Sequence, residues 1–267
     1  MKSAIAAFCV LSVLPLTSAG ALRLHSTHNR SGTSISLSKR VHVNTLITEP
    51  GTAEVDWSNL YSLTSGDYAM PSAFKITPRG PDVLWGRTEY SVSFDSLNTT
   101  SPAGGHPVQF SQSVSFAATS VLHDGPKFDL AIAPQASFYL RDESGARLGA
   151  TAIARYDSGR NSTGVTATWS GATHSSANNP AGLFDLGFGY GRNLQGSAFL
   201  EKFTPHTNLI WEKATGHEST VALFEGVEFQ MTDRFALDLS GQHFSLNPGP
   251  ADNQIVLGLT VNLGHAH

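Results

Sequence analysis

The C-terminal stretch 254–263 alternates. Ile255, Leu257, Leu259, Val261 and Leu263 are apolar, and Gln254, Gly258, Thr260 and Asn262 between them are polar or small, with Val256 the one exception. Successive strand side chains point to opposite faces, so this pattern describes a strand with one face in an apolar medium. Strands of soluble sheets usually end after about 5–6 residues. A tilted strand crossing a bilayer needs about 9–11. A run this long asks for something thicker than an ordinary sheet.

The same period returns along the chain. Val55, Trp57, Tyr61 and Leu63 alternate with Glu54, Asp56, Ser58 and Ser62. A short strand through Phe74–Ile76 is expected after a loop containing Gly66 and Pro71. Leu84, Thr88, Tyr90, Val92 and Phe94 oppose Arg87, Glu89, Ser91, Ser93 and Asp95, and Val108, Phe110, Val114 and Phe116 oppose Gln109, Ser111, Ser113 and Ser115. After the turn signal His123-Asp124-Gly125-Pro126, Phe128, Leu130, Ile132 and Phe138 oppose Asp129, Gln135, Ser137 and Arg141. Pro134 lies on the apolar phase, and without an N–H it predicts a bulge or irregular pairing. Ala150, Ala152 and Ala154 oppose Arg147, Thr151 and Arg155; Val165, Ala167 and Trp169 follow, then Phe184, Leu186, Phe188 and Tyr190 against Asp185. A strand through Leu209 and Trp211, with Asn208 and Glu212 opposite, precedes a last hairpin pairing 221–231 with 235–244.

The count is about twelve, the even number that bacterial outer-membrane barrels prefer. With both termini on one side, short turns fall near 78–82, 124–127, 157–162 and 232–234, and longer loops near 64–72, 97–107, 171–182 and 246–252. The stretch 193–205 breaks this rule. A two-layer sandwich would also alternate, but run length and the regular polar face favour a closed antiparallel up-and-down barrel, all-β. Trp57, Tyr61, Tyr90, Trp169, Tyr190 and Trp211 fall on the apolar phase, mostly near strand ends, where an interfacial girdle would sit.

Upstream, Lys2, the apolar run Ala4–Leu16 and the small residues Ala19-Gly20-Ala21 read as a signal peptide over 1–21. Residues 22–50 read as a polar N-terminal extension, a solvated linker in preference to a plug or partner-binding arm, with a short strand near Val41–Ile47, and 51–267 as the barrel domain. Cys9, the sole cysteine, lies in the leader, so the exported chain would hold together without disulfides. The net charge of −4 argues against a nucleic-acid partner. No apolar run beyond the leader approaches a membrane-spanning helix, so a closed barrel is the route into a membrane.

From Gly51 to Gly264 the order of features resembles the outer-membrane barrel family named for the MetA pathway of phenol degradation. The segments that carry the resemblance are Pro50-Gly51-Thr52-Ala53-Glu54-Val55, the Gly125-Pro126 turn, Leu186-Gly187-Phe188-Gly189-Tyr190, and Met231-Thr232-Asp233-Arg234-Phe235-Ala236-Leu237-Asp238 with the closing strand. The resemblance implies a porin-like barrel of about twelve strands that moves small solutes, aromatic or hydrophobic ones included, across a bacterial outer membrane. The chain departs from many such barrels in placing Gly264-His265-Ala266-His267 after Leu263 instead of ending on an aromatic residue.

Inward positions expected to line the lumen are Glu54, Asp56, Lys75, Arg87, Glu89, Asp129, Arg141, Arg147, Arg155, Asp185, Glu212, Glu228 and Asp238. Their mixed signs suit either a solute path or a network bracing the wall. No G-x-S-x-G elbow, H-E-x-x-H helix or phosphate loop occurs, so no catalytic residue, metal or cofactor is expected. His265 and His267 read as a frayed tail. Pairing Met231 with Phe235 sets Glu225 opposite Gly241 and diagonal to His243 on the outer phase, unless a bulge at Phe224-Glu225-Gly226 turns Glu225 inward. The expected partners are outer-membrane lipid and a small solute, with oligomerisation left open. Two alternatives are a non-conducting structural barrel and a soluble exported ligand-binding β-domain.

Overall fold

In a computed structural model the described residues are Ile47, 51–63, 68–78, 88–99, 113–139, 145–175, 180–232, 234–245 and 254–264. They contain twelve strands: β1 Thr52–Ser62, β2 Tyr68–Thr77, β3 Thr88–Thr99, β4 Ser113–Asp124, β5 Phe128–Tyr139, β6 Ala146–Ser158, β7 Asn161–Ala172, β8 Gly182–Arg192, β9 Phe203–Ala214, β10 Ser219–Thr232, β11 Phe235–Ser245 and β12 Gln254–Asn262. Each strand pairs antiparallel with its chain neighbours, and β1 pairs with β12 from Glu54↔Asn262 to Ser62↔Gln254. The sheet closes into a barrel and leaves no edge.

Burial is inverted relative to a soluble domain. Among the described residues the buried side chains are mostly Ser, Thr and charged groups, whereas Phe116, Phe138, Leu148, Trp169, Phe188 and Leu239 are exposed. Large exposed apolar surface on this scale marks contact with lipid or protein, and it removes the sandwich alternative, in which these side chains would pack between two layers. On β5 the exposed Phe128 and Phe138 alternate with the buried Asp129, Ala131, Ala133 and Ser137. That alternation fixes which phase faces inward.

Several element boundaries differ from the pattern-based reading. β2 begins at Tyr68, and Pro71 lies within it at a register shift against β3, where Met70↔Leu97 is followed by Pro71↔Asp95. A proline without an N–H is accommodated at such an irregularity. β4 continues eight residues past Phe116 to Asp124, through Ala117–Ser120, small residues that carry no contrast. Pro134 keeps a regular register with Ala150 on β6, while the β4–β5 ladder passes from Ala117↔Gln135 to Ser120↔Ile132, and the shift falls at Val121/His123.

The end of the barrel where β1 begins and β12 ends has short connections between β4 and β5, β6 and β7, and β10 and β11. Gly159 takes φ +63° in the two-residue β6–β7 turn, a conformation open to glycine at little cost. Two connections at this end are longer: β2–β3, where ten residues lie between Thr77 and Thr88 in place of the short turn expected near 78–82, and β8–β9, whose 3₁₀ turn Leu200–Lys202 is fastened by aromatic contacts, Phe199 lying 5.1 Å from Phe203, which stacks at 4.7 Å on Phe229. The opposite end has one short connection, 215–218, where alternation of short and long would put a loop. Residues 1–46, and with them the leader, most of the extension and its strand near Val41, lie outside the described residues, as do Leu84, Arg87, Val108, Phe110, Arg141, His265 and His267.

Candidate functional site: the inward wall

Of the thirteen expected inward residues, the eleven that are described share the inward phase. Lys75 on β2 bridges two carboxylates of β1, its Nζ 3.4 Å from Glu54 and 2.7 Å from Asp56, and Asp56 also accepts a hydrogen bond from the Thr260 hydroxyl at 2.9 Å. The register explains the triad. Glu54 lies directly opposite Lys75, and Asp56 is two residues on along the same face. Glu89 on β3 is buried on the inward face.

Arg155 on β6 donates to Asp157, two residues along, with its Nη2 2.7 Å from the carboxylate. It also lies opposite Asp129 in the β5–β6 register. Arg147 is tied to the wall: it donates to the Ser170 hydroxyl at 3.1 Å and the Pro180 carbonyl at 2.6 Å. Between these charges the wall is small and polar, with paired hydroxyls such as Ser115–Ser137 at 2.7 Å and Thr151–Thr168 at 2.9 Å.

The other side of the interior is acidic. Asp185 on β8 stands directly opposite Glu212 on β9, and Glu228 on β10 stands opposite Asp238 on β11. Like charges in directly opposed positions destabilise a sheet. Asp238 is bonded to His206 Nε2, which reaches from β9 across β10. Gly226 lies between them; a Cβ there would stand 2.9 Å from His206 Cε1 and 2.5 Å from Ser240 Cβ. Asp157 and His206 are absent from the residues expected on sequence grounds. Asp157 shares the phase of Arg155, and His206 shares that of Asn208 and Glu212, so extending either alternation by one step finds them.

Glu225 lies in register with Gly241, as expected, although Phe235 pairs with Thr232 and not with Met231, which falls at an irregularity between Gln230 and Thr232; Glu225 does not turn inward. It is exposed on the outer phase beside Thr207. The bulge falls one step away, where Leu223↔Phe244 is followed by Phe224↔Gln242 and His243 is the extra residue. One more side chain reaches the interior: Ile47, from the segment before β1, is buried against the inward Val121, Ala131 and Ile153. Among the described residues no group of three or more His, Cys, Asp or Glu side chains is placed to hold a metal ion.

No family model matches the chain, and no curated protein matches it. Solved structures do. A KdgM porin in complex with disordered oligogalacturonate matches with a TM-score of 0.54 at 9% identity, covering 79% of this chain and 99% of that one. A NanC porin matches with a TM-score of 0.56 at 10% identity, covering 78% and 100%. A further KdgM porin structure gives 0.53 at 11% identity, covering 79% and 99%. At such identities the likeness is one of fold: this chain is a closed twelve-stranded antiparallel barrel of the kind found in outer-membrane porins.

Proposed function

We propose that the chain forms a passive channel in a bacterial outer membrane, reached with a leader cleaved after Ala19 or Ala21, and that its interior favours cations. The observation that carries the reading is the pair of opposed carboxylates, Asp185 with Glu212 and Glu228 with Asp238, on a wall whose described cations are Lys75, Arg147 and Arg155. A wall lined by one sign focuses the field and concentrates counter-ions. Two of the three cations are already engaged close by, Lys75 with Glu54 and Asp56, and Arg155 with Asp157. Oligogalacturonate, named with the KdgM neighbour, is a chain of carboxylates; the acidic interior here suits a cationic or neutral solute better. The resemblance to the MetA-pathway family adds small aromatic compounds as cargo, and the proposal extends to them where they carry a positive charge. Catalysis has no part in this reading.

A side-chain-filled barrel without conduction is the second reading, favoured by the burial of Glu54, Glu89, Asp129, Arg155 and Glu228 below a tenth exposed. Planar-bilayer recording under a potassium chloride gradient separates the two. The channel reading expects discrete steps with a reversal potential displaced toward that of potassium. A trace that stays closed at every voltage would favour the filled barrel, and a reversal potential on the chloride side would remove the cation preference.

A further inference from the structure

The outward face of β6, β7 and β8 changes character toward the end where β1 begins and β12 finishes. Along β8 the exposed Phe188, then Tyr190, then the exposed Arg192 follow one another at every second position. Tyr156 of β6, Thr163 of β7 and Tyr190 of β8 stand in one register row, with Phe128 of β5 beside Tyr156. The next row, roughly 7 Å nearer the end, is Ser158, Asn161 and Arg192. The Tyr190 hydroxyl donates to Asn161 Oδ1 at 2.8 Å, which ties the two rows together.

Two further cations stand at the same rim. Arg160, in the β6–β7 turn, is exposed, and its carbonyl accepts the N–H of Asn193, the residue after Arg192, at 2.9 Å. Lys127, exposed just before β5, is held next to β6 by its carbonyl, which accepts the Asp157 N–H at 2.8 Å. The acids of this sector belong to the inward phase. Asp157 is bound by Arg155 at 2.7 Å, Asp129 is buried, and Asp124 lies opposite Asp129 in register. In the adjoining β8–β9 connection Glu201 is followed by Lys202. At the far end of the same strands the row beyond Trp169 is Leu148, Gly171 and Gly182, without a cation. Lys213, which pairs with Phe184 there, donates its ammonium to the His217 carbonyl at 2.7 Å.

Apolar, aromatic and cationic groups in that order match the chains, the interfacial region and the phosphate of a phospholipid. Guanidinium groups bind phosphate as forks, and no outward acid among the described residues of this sector opposes a negative headgroup. A free phosphate ion would use the arginines but leave Phe188 and Tyr190 without a role. We propose that the outer face of β7 and β8 at this end binds an anionic phospholipid, its phosphate between Arg160 and Arg192 and its chains along Tyr190 and Phe188. Lys127 adds positive charge at the headgroup. The site rests on the barrel standing in a bilayer and is independent of conduction.

Native mass spectrometry of the full chain in a non-ionic detergent, titrated with phosphatidylglycerol or with phosphatidylcholine of the same chains, tests this. Heat-modifiable gel migration of every variant keeps a failure to fold apart from a failure of the site. Phosphatidylglycerol is expected to bind the wild type about tenfold more tightly than phosphatidylcholine. Arg192→Gln should weaken phosphatidylglycerol about fivefold, and Arg160→Gln with Arg192→Gln about twentyfold, both leaving phosphatidylcholine unchanged. Arg192→Lys, which keeps the charge and loses the fork, should fall between the wild type and Arg192→Gln. Lys213→Gln should alter neither lipid. Equal affinities of the wild type for the two lipids would overturn the site. So would an equal loss from Lys213→Gln and Arg192→Gln, because any surface cation would then serve. Inorganic phosphate binding as tightly as phosphatidylglycerol would overturn the lipid in favour of a free anion.

Discussion

Lys75 shows how a single side chain can hold two strands of this wall together. It neutralises Glu54 and Asp56 from the neighbouring strand, and removing one partner from a buried charge group costs far more than the net worth of the group, because the remaining charges stay desolvated. Lys75→Met should therefore lower unfolding stability in lipid vesicles by about 2 kcal/mol. The triple variant with Glu54→Gln and Asp56→Asn should recover most of that loss. A single variant as stable as the wild type in urea titration would show that water already screens the carboxylates. Glu225 is the opposite case. It projects at mid-strand on the outer phase among Leu223, Val227 and Phe229, where a carboxylate facing lipid costs stability. Glu225→Leu sets that cost against the interaction the residue makes. A gain of about 1 kcal/mol in the same titration would show that the cost of the exposed carboxylate dominates, and a loss would show that the interaction does. Both charges are legible in the sequence as residues of a phase, because alternation alone says which face a side chain takes. Their partners are not, since a bond such as His206 to Asp238 depends on how far one strand is shifted against another.

Among the elements, the existence of a strand is easier to read than its ends. β12 and β8 announce themselves because large apolar and small polar residues alternate along them, with Val256 the one break, whereas β4 runs on through alanine, threonine and serine, which look alike to a period-two count. Pro71 reads as loop, because a proline argues against a strand until pairing reveals a bulge that can hold it. The β9–β10–β11 sector carries the element-scale lesson. His206 and Asp238 are one strand removed from each other, and the strand between them offers Gly226 at the crossing point. Gly226→Val would drive a side chain into His206 and Ser240, where even a Cβ would approach to 2.9 and 2.5 Å. Overpacking of this kind costs about 1–3 kcal/mol, so the variant should unfold at lower urea and run as the heat-denatured form at a lower temperature. Gly216→Ala, in the β9–β10 loop, separates the two costs: an added Cβ there would meet nothing within 4 Å, but φ stands at +80°. It should lose only the backbone-strain share, about 1 kcal/mol.

At the scale of the whole barrel, an exposed apolar band faces outward and the charged side chains face inward. Tyr61, Trp169 and Trp211 project outward near the end where β1 finishes, and Tyr90, Tyr190 and Phe203 near the end where β1 begins and β12 finishes. Such paired aromatic girdles mark the two interfaces of a bilayer. Inside, Asp185 and Glu212 face each other from adjacent strands, an arrangement that costs folding stability and would be removed easily if the wall served only to brace itself. Asp185→Asn with Glu212→Gln should accordingly raise stability in vesicles by about 0.5–1 kcal/mol. The same variant should shift the reversal potential in a potassium chloride gradient toward zero, because two fixed charges no longer attract cations to that part of the path. The two readouts move together only if the carboxylates are kept for solutes at the expense of the fold. A drop in stability with an unchanged reversal potential would mean that they bind wall groups, and the interior would then be a strut for the barrel and not a path through it.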